Sequence, residues 1–347
     1  MTRQAALYEA EVLPGLKPFA EAELRAVLKK AARLAPNRRE DEIGFQFDGP
    51  APHLLALKKI VAVYSVQHFA IPRPKALLGH RHFQRLIGQI RDVLALHPAH
   101  TFRTFRFSAA GKKSAVFTRL KDDLQTQTGL AYLDDEADMV IRIRPARYAR
   151  SGWEALARLT PRPLSTREWR VADFPGALNA TVAATMVELT RPRRSDRFLN
   201  LMCGSGTLLI ERLARAPAQL AVGGDIAAQV LDLARQNIHA AGLAQQIDLI
   251  RLDVTAPPLF GPHFDVICAD LPWGQLVGSR AENATRYAQV LKTAAALAGP
   301  QARLILLTHQ IKLMETILAH YPGPWQLRQS HQLYQGGLHP QIYLFHN

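Results

Sequence analysis

The sequence predicts an α/β chain: a doubly wound, mostly parallel sheet in the second half, and a smaller α+β region in the first. Three observations carry that reading. From about residue 176 onward, short apolar runs alternate with amphipathic helical stretches. A glycine-rich turn, Cys203-Gly204-Ser205-Gly206-Thr207, stands between the first of those runs and the helix that follows it. Farther on, the apolar run at 264–269 ends in Asp270-Leu271-Pro272-Trp273-Gly274, where a buried strand meets a stiff loop.

The bulk numbers narrow the class. At 347 residues the chain has room for two or three domains, and 48% hydrophobic with 21% charged residues describes an ordinary soluble protein. No stretch offers about 18 uninterrupted apolar residues, so no membrane span is expected. Met1-Thr2-Arg3-Gln4-Ala5-Ala6-Leu7 lacks the apolar stretch of a signal peptide, and a cytoplasmic location is expected. Cys203 and Cys268 are the only cysteines and are expected as free thiols. The 13 histidines show no ligand-like spacing, so no metal is expected. A monomer is expected.

A net charge of +14 and a pI near 10.1 imply an anionic partner. Residues 1–175 hold 29 Lys and Arg against 18 Asp and Glu, a net +11, whereas residues 176–347 hold 14 against 11, a net +3. Positive charge is concentrated in the half without the glycine turn. That is the distribution of a nucleic-acid-holding module beside a catalytic one.

Taken in order, residues 1–70 read as a small α+β domain. Ala6-Leu7-Tyr8 is strand-like, Pro14-Gly15 turns the chain, and a helix runs to about residue 34. The stretches 43–47 and 60–69 read as strands. A second domain is expected over 71–150. It has a helix at 82–96, alternating Phe and Arg at 101–107, a helix from Lys112-Lys113-Ser114 to about Thr128, and a strand at 139–144. Arg103, Arg106, Lys112, Lys113, Arg142 and Arg144 lie at strand positions or a helix start, where they can reach phosphates without reading bases. Solvated surface charge is the bland alternative for each. The proline- and arginine-rich stretch 151–175 reads as a linker.

Residues 176–347 read as the catalytic domain. Helices are expected at 177–189, 207–214, 226–241 and 285–297, and strands at 197–201, 219–223, 247–252, 264–269 and 303–307. The end differs, since 325–328 and 342–345, joined through Gly336-Gly337, suggest an antiparallel hairpin.

Four features of this half fall at strand ends. The glycine turn 203–207 lets backbone approach a ligand, and the helix start beyond it favours an anion. It is not a P-loop, because no Gly-Lys-Ser/Thr follows, and it lacks the full G-x-G-x-x-G spacing. Asp225, followed by Ile226, stands 19 residues after Gly206 and is placed to accept from both hydroxyls of a ribose. Asp253, followed by Val254, ends the third strand, where a carboxylate can accept from an adenine amine. Asp270 and the Leu271 carbonyl, aimed by Pro272, surround a small space with Trp273 as a π-face, which suits a flat heterocycle bearing an amine. Singly, these acids fit a helix cap or a turn. Together they trace one ligand without a pyrophosphate: an adenosine bearing a short zwitterion, S-adenosylmethionine.

Asn200-Leu201-Met202-Cys203-Gly204-Ser205-Gly206-Thr207, Gly224-Asp225-Ile226 and Asp270-Leu271-Pro272-Trp273-Gly274 resemble the motifs of THUMP-domain RNA guanine-N2 methyltransferases, most closely the tRNA (guanine(6)-N2)-methyltransferases. Phe174-Pro175-Gly176-Ala177-Leu178-Asn179-Ala180-Thr181 is similar to the helix that covers the cofactor in that family. Gly278-Ser279, Tyr287 and Gly336-Gly337-Leu338 match later segments. The resemblance implies a Rossmann-like class I methyltransferase domain after an N-terminal ferredoxin-like plus THUMP RNA-binding region. It also implies a cofactor contact for Asn179, Thr181 and Asn200, and a tRNA guanosine N2, at position 6 of the acceptor stem, as the methyl acceptor. The chain departs in having Asn200 where Asp is usual, and Asp270 and Trp273 where Asn and Tyr or Phe are usual. Three alternatives stay open: another RNA guanine or an adenine N6, a protein amide, and a non-catalytic RNA-binding protein on a degenerate fold.

Overall fold

The computed structural model describes residues 5–35, 39–256, 263–272 and 280–347. The chain divides into two compact units, one of Met1–Leu13 and Lys17–Ser165, the other of Pro14–Leu16 and Thr166–Asn347.

In the first unit the elements follow as β1 (Ala6–Glu11), α1 (Lys17–Leu28), β2 (Ala32–Leu34), β3 (Glu42–Phe47), β4 (Ala62–Phe69), α2 (His80–Leu94), β5 (Thr104–Ala109), α3 (Ala115–Thr128), β6 (Ala131–Tyr132), β7 (Met139–Pro145) and β8 (Trp153–Arg158). The strands form one sheet in the order β2-β3-β1-β4-β8-β7-β5-β6. Period-two alternation sorts its faces. Met139, Ile141 and Ile143 of β7 join Phe45, Phe105, Phe107 and the apolar stripes of α1, α2 and α3 in a single core. The alternate residues Tyr64, Val140 and Leu156 form a smaller cluster on the opposite face.

Three expected boundaries fail here. The divisions at 1–70 and 71–150 cut through a continuous sheet, because β4 pairs with β8 and β8 with β7. The stretch 151–175 is not a linker. Trp153-Glu154-Ala155-Leu156-Ala157-Arg158 is an inner strand of that sheet, and residues 166–175 belong to the second unit. Flanking prolines and arginines concealed a short alternating strand whose partners lie far away in sequence.

The second unit follows as α4 (Ala180–Leu189), β9 (Arg197–Leu201), α5 (Thr207–Arg215), β10 (Leu220–Asp225), α6 (Ala228–Ala240), β11 (Asp248–Arg251), β12 (Phe264–Asp270), α7 (Arg280–Leu297), β13 (Ala298–Thr308), α8 (Ile311–Ala319), β14 (Gln326–Gln332) and β15 (Gln341–His346). Its sheet runs β11-β10-β9-β12-β13-β15-β14, parallel as far as β13 and closed by the antiparallel hairpin expected at the end. Leu199, Ile267 and Leu304 pack with Tyr287, Val290 and Leu291 of α7. At Gly223 an added Cβ would lie 2.5 Å from Leu209, so glycine there lets α5 pack close to β10. Helix α8 was not expected from the sequence.

Strand order reverses between β9 and β12. Connections lead away from that pair on both sides, which opens a crevice at their carboxyl ends. The glycine turn leaves β9 there, and Asp270 ends β12 there. No helix among the described residues is long and apolar enough to cross a membrane.

Candidate functional site

The turn from β9 into α5 is built from left-handed backbone. Met202, Gly204 and Gly206 have φ of 55°, 55° and 85°, and only the last two escape the Cβ penalty through glycine. The turn is tied down by Cys203 N–H donating to Gly224 O (2.8 Å) and Gly206 N–H to Cys203 O (3.0 Å). Asp225 follows directly on β10, and its carboxylate accepts from Gly204 N (3.0 Å) and Ala227 N (3.1 Å). Each oxygen keeps a lone pair for a further donor. Ile226, 55% exposed, offers an apolar surface beside it.

Asp253 accepts from Thr255 N (2.8 Å) and Thr255 Oγ1 (2.7 Å). Those two bonds hold its carboxyl below the ordinary range, so it stays anionic. Val254 is buried and its carbonyl accepts from Thr293 Oγ1 (2.6 Å). These residues, with the turn, gather at the carboxyl ends of β9, β10 and β11 as expected.

Asp270 closes β12 in register with Leu307 of β13. Leu271 is buried and its N–H donates to Leu307 O (2.9 Å). The Pro272 carbonyl accepts from Asn283 Nδ2 (3.0 Å) and from Tyr287 Oη (2.7 Å), both on α7. Tyr287 Oη also lies 2.7 Å from Thr308 Oγ1, which accepts from Gln310 N (2.9 Å). A carbonyl only accepts, so Tyr287 donates to Pro272 and Thr308 donates to Tyr287. Burial, with the nearby Asp270 charge adding, pushes the Tyr287 hydroxyl up to about 12. It is a proton donor at any working pH. Trp273, like Gly274, Gly278 and Ser279, lies outside the described residues.

Several expected contacts find other work. Asn179 caps α4: its Oδ1 accepts from Thr181 N (2.8 Å) and Thr181 Oγ1 (2.7 Å). Thr181 is fully buried, with its hydroxyl engaged by that cap. Thr207 is buried and its hydroxyl accepts from Arg170 Nη2 (3.0 Å), while the same nitrogen reaches Leu178 O (2.8 Å). Asn200 is buried beside the turn, donating to Leu201 O (3.1 Å) and Cys268 O (3.2 Å). Cys203 and Cys268 are both buried, and burial raises both thiols well above their ordinary range.

Three residues were missed. Asn237 of α6, fully buried, accepts from Val171 N (3.0 Å) and Ala172 N (2.9 Å) and donates to Ala172 O (3.0 Å) and Ser205 O (3.1 Å). It joins the segment entering the unit to the glycine turn. An amide in the buried stripe with Leu231, Ala234 and Ile238 was the available signal. Asn283 and Arg170 left none.

The candidate phosphate contacts divide. Arg103 and Lys113 are exposed and Arg106 is half-buried. Lys112 donates to Asp134 O (3.1 Å). Arg142 and Arg144 are not available, which corrects the expectation. Arg142 pairs with Glu11 (2.6 Å) with its guanidinium 4.1 Å over the Tyr64 ring. Arg144 pairs with Glu9, Glu154 (2.7 Å) and Glu42 (3.5 Å). The alternation that placed these arginines opposite the core placed buried acids on the same face.

The donor set fits an adenosine carrying a zwitterionic tail. Asp225 and Asp253 present acceptor oxygens, and Ile226 an apolar surface, of the kind a nucleoside would use. Beside the turn, the buried atoms Asn200 Oδ1 and Arg170 Nε have no partner in the protein among the described residues. An acceptor and a cation there suit an ammonium and a carboxylate.

A family model described as RMKL-like, methyltransferase domain (UPF0020) matches residues 167–341. A tRNA (guanine(6)-N2)-methyltransferase of Thermus thermophilus is 32% identical over 188 residues, covering 54% of this chain and 55% of that protein. A tRNA (guanine(6)-N(2))-methyltransferase THUMP3 of Mus musculus is 28% identical over 184 residues, covering 49% and 36%. The match thus spans about half or less of the length of these curated relatives. The crystal structure of TrmN from Thermus thermophilus superposes with a TM-score of 0.74 at 24% identity, covering 98% of this chain and 99% of that one, and shares its fold.

Proposed function

We propose, from the premise that the chain belongs to the UPF0020 family of RMKL-like methyltransferases, that it methylates the exocyclic N2 of a guanosine in tRNA with S-adenosylmethionine as donor. The names of the relatives support position 6 as the target, and its place in the acceptor stem is part of the same reading. The observation that carries the reading is the strand-end loop at the topological switch: Asp270 closes β12, and the Pro272 carbonyl is held by Asn283 and Tyr287.

Guanine N2 is a weak nucleophile because its lone pair is delocalised into the ring. Asp270 and the Leu271 carbonyl would each accept one N–H, turning the lone pair out of conjugation and toward the methyl. The Pro272 carbonyl, already accepting twice, only positions the loop. When bound, the cofactor would supply an activated methyl on a sulfonium, with the thioether as the leaving group for the amine nitrogen. Asp270 then takes the amine proton. Trp273 would stack on the base, a contact of about 1–3 kcal/mol in other proteins. Asp225 and Asp253 would hold ribose and adenine, Asn200 the ammonium and Arg170 the carboxylate. Bringing amine and methyl together in one orientation would supply much of the acceleration. The exposed cations of the first unit would hold the RNA while the base leaves its stack.

The test uses unmodified tRNA transcript and labelled cofactor, with digestion to nucleosides. The wild-type protein is expected to yield N2-methylguanosine. Asp270→Ala is expected to abolish transfer while cofactor binding, measured by calorimetry, survives. Full transfer by Asp270→Ala would sink the role given to that carboxylate.

A further inference from the structure

We propose that the loop between α4 and β9 is a second contact for nucleic-acid backbone, carried by the catalytic unit at the opposite strand ends from the candidate site. The inference rests on the reading that the protein acts on RNA.

Of the 14 Lys and Arg in residues 176–347, four fall in Arg191-Pro192-Arg193-Arg194-Ser195-Asp196-Arg197, with a single acid among them. That acid faces inward. Asp196 Oδ1 accepts from Arg303 Nη2 (2.6 Å), and Oδ2 accepts from Arg212 Nη2 (3.0 Å) and from Arg193 N (2.7 Å). The loop carbonyls turn inward too. Arg303 Nη1 donates to Thr190 O and to Arg191 O (3.0 Å), and Arg212 Nη2 to Arg193 O (2.8 Å). Asp196, Arg212 and Arg303 are all buried.

The consequence is a backbone fixed from beneath. It holds Arg191 at a φ of 50°, a left-handed conformation that costs an L residue about 1–2 kcal/mol. The side chains of Arg191, Arg193 and Arg194 are exposed, and none is paired with an acid among the described residues. Glu188, a nearby acid in sequence, is occupied by Arg215 (2.8 Å). Arg328, on the edge strand β14, acts on His346 together with Arg303 and Arg191. Burial first, and then the charges of Arg328, Arg303 and Arg191, hold the His346 imidazole below its ordinary range, which marks the same region as electropositive.

Three unpaired guanidinium groups on a preorganised loop suit a ladder of phosphates, because little entropy remains to be lost when they bind. The span is short. Strand β9 has five residues, so the loop and the glycine turn are about 16 Å apart at roughly 3.3 Å per residue. One helical turn of an A-form duplex is longer than that, so a single structured RNA can reach both.

The test measures binding of the full-length protein to labelled tRNA transcript across a potassium chloride series. The triple variant Arg191→Ala, Arg193→Ala, Arg194→Ala is expected to bind several-fold more weakly at physiological salt. Its slope of log K against log salt should be shallower by about 2–3, at roughly 0.9 per lost phosphate contact. The corresponding triple lysine variant should keep the wild-type slope, and S-adenosylhomocysteine binding and the melting temperature should stay unchanged in both. A wild-type slope in the alanine variant overturns the proposal. So does an unchanged slope accompanied by loss of binding to anionic phosphatidylserine vesicles, which would assign the loop to a lipid surface. If tRNA binds through the loop but is not methylated, the substrate assignment fails and the contact stands.

Discussion

The Pro272 carbonyl is where residue-level chemistry decides most. Its two acceptor positions are filled by Asn283 and Tyr287, and the donor direction along Thr308, Tyr287 and Pro272 is set because a carbonyl cannot donate. Tyr287→Phe removes one donor and strands Thr308 in a buried setting. It is expected to destabilise the protein by about 1–3 kcal/mol in urea unfolding. It should also lower kcat by at least tenfold while the cofactor Kd holds, because the loop rather than the cofactor site is released. A proportional rise in cofactor Kd would show that Tyr287 supports the whole crevice instead. The sequence placed Asp270, Leu271 and Pro272 at a strand end correctly, since an apolar run followed by acid and proline is a local signal. It could not show Asn283 as a partner, because the helix expected there began at residue 285 and left position 283 outside it, whereas the helix begins at Arg280.

Among the elements, α6 does more than cover the sheet. Through Asn237 it fastens residues 171 and 172 to Ser205 of the glycine turn, using all four of its amide's bonds. Asn237→Ala would leave two backbone N–H groups and two carbonyls without that partner. A loss of about 1–3 kcal/mol of stability is expected, read by denaturant titration. The turn would lose its tether, so cofactor affinity measured by calorimetry should fall with it. Unchanged affinity would confine Asn237 to a structural role. Elements with strong periodicity, such as α2, α3 and β13, were legible. Helix α8 and strand β8 were not. Strand β8 is six residues long between Gly152 and a proline-rich stretch, and it becomes a strand only through pairing with β4 and β7.

On the scale of the whole molecule, charge is the property that reaches farthest. If tRNA is the partner, as proposed, a net +14 predicts that affinity falls linearly on logarithmic axes as salt rises, which a binding series on the wild-type protein reads directly. A salt-independent affinity would mean that the surplus charge does not meet phosphate. Which cations take part was not in the sequence: Arg142 and Arg144 looked available, while Arg191, Arg193 and Arg194 were passed over. By itself the sequence determined the alternation of strands and helices in the second unit, the glycine turn, the acids at the strand ends and the division of charge, because periodicity, turn chemistry and composition are local. Only the tertiary structure decided that the strands between Ala6 and Arg158 build a single sheet, that Asn237 fastens the glycine turn and Tyr287 the Pro272 carbonyl, and which arginines remain exposed. The reason is pairing at long range. Arg144 meets Glu9 across 135 positions and Arg303 meets Asp196 across 107, and no pattern along the chain specifies which charges folding will bring together.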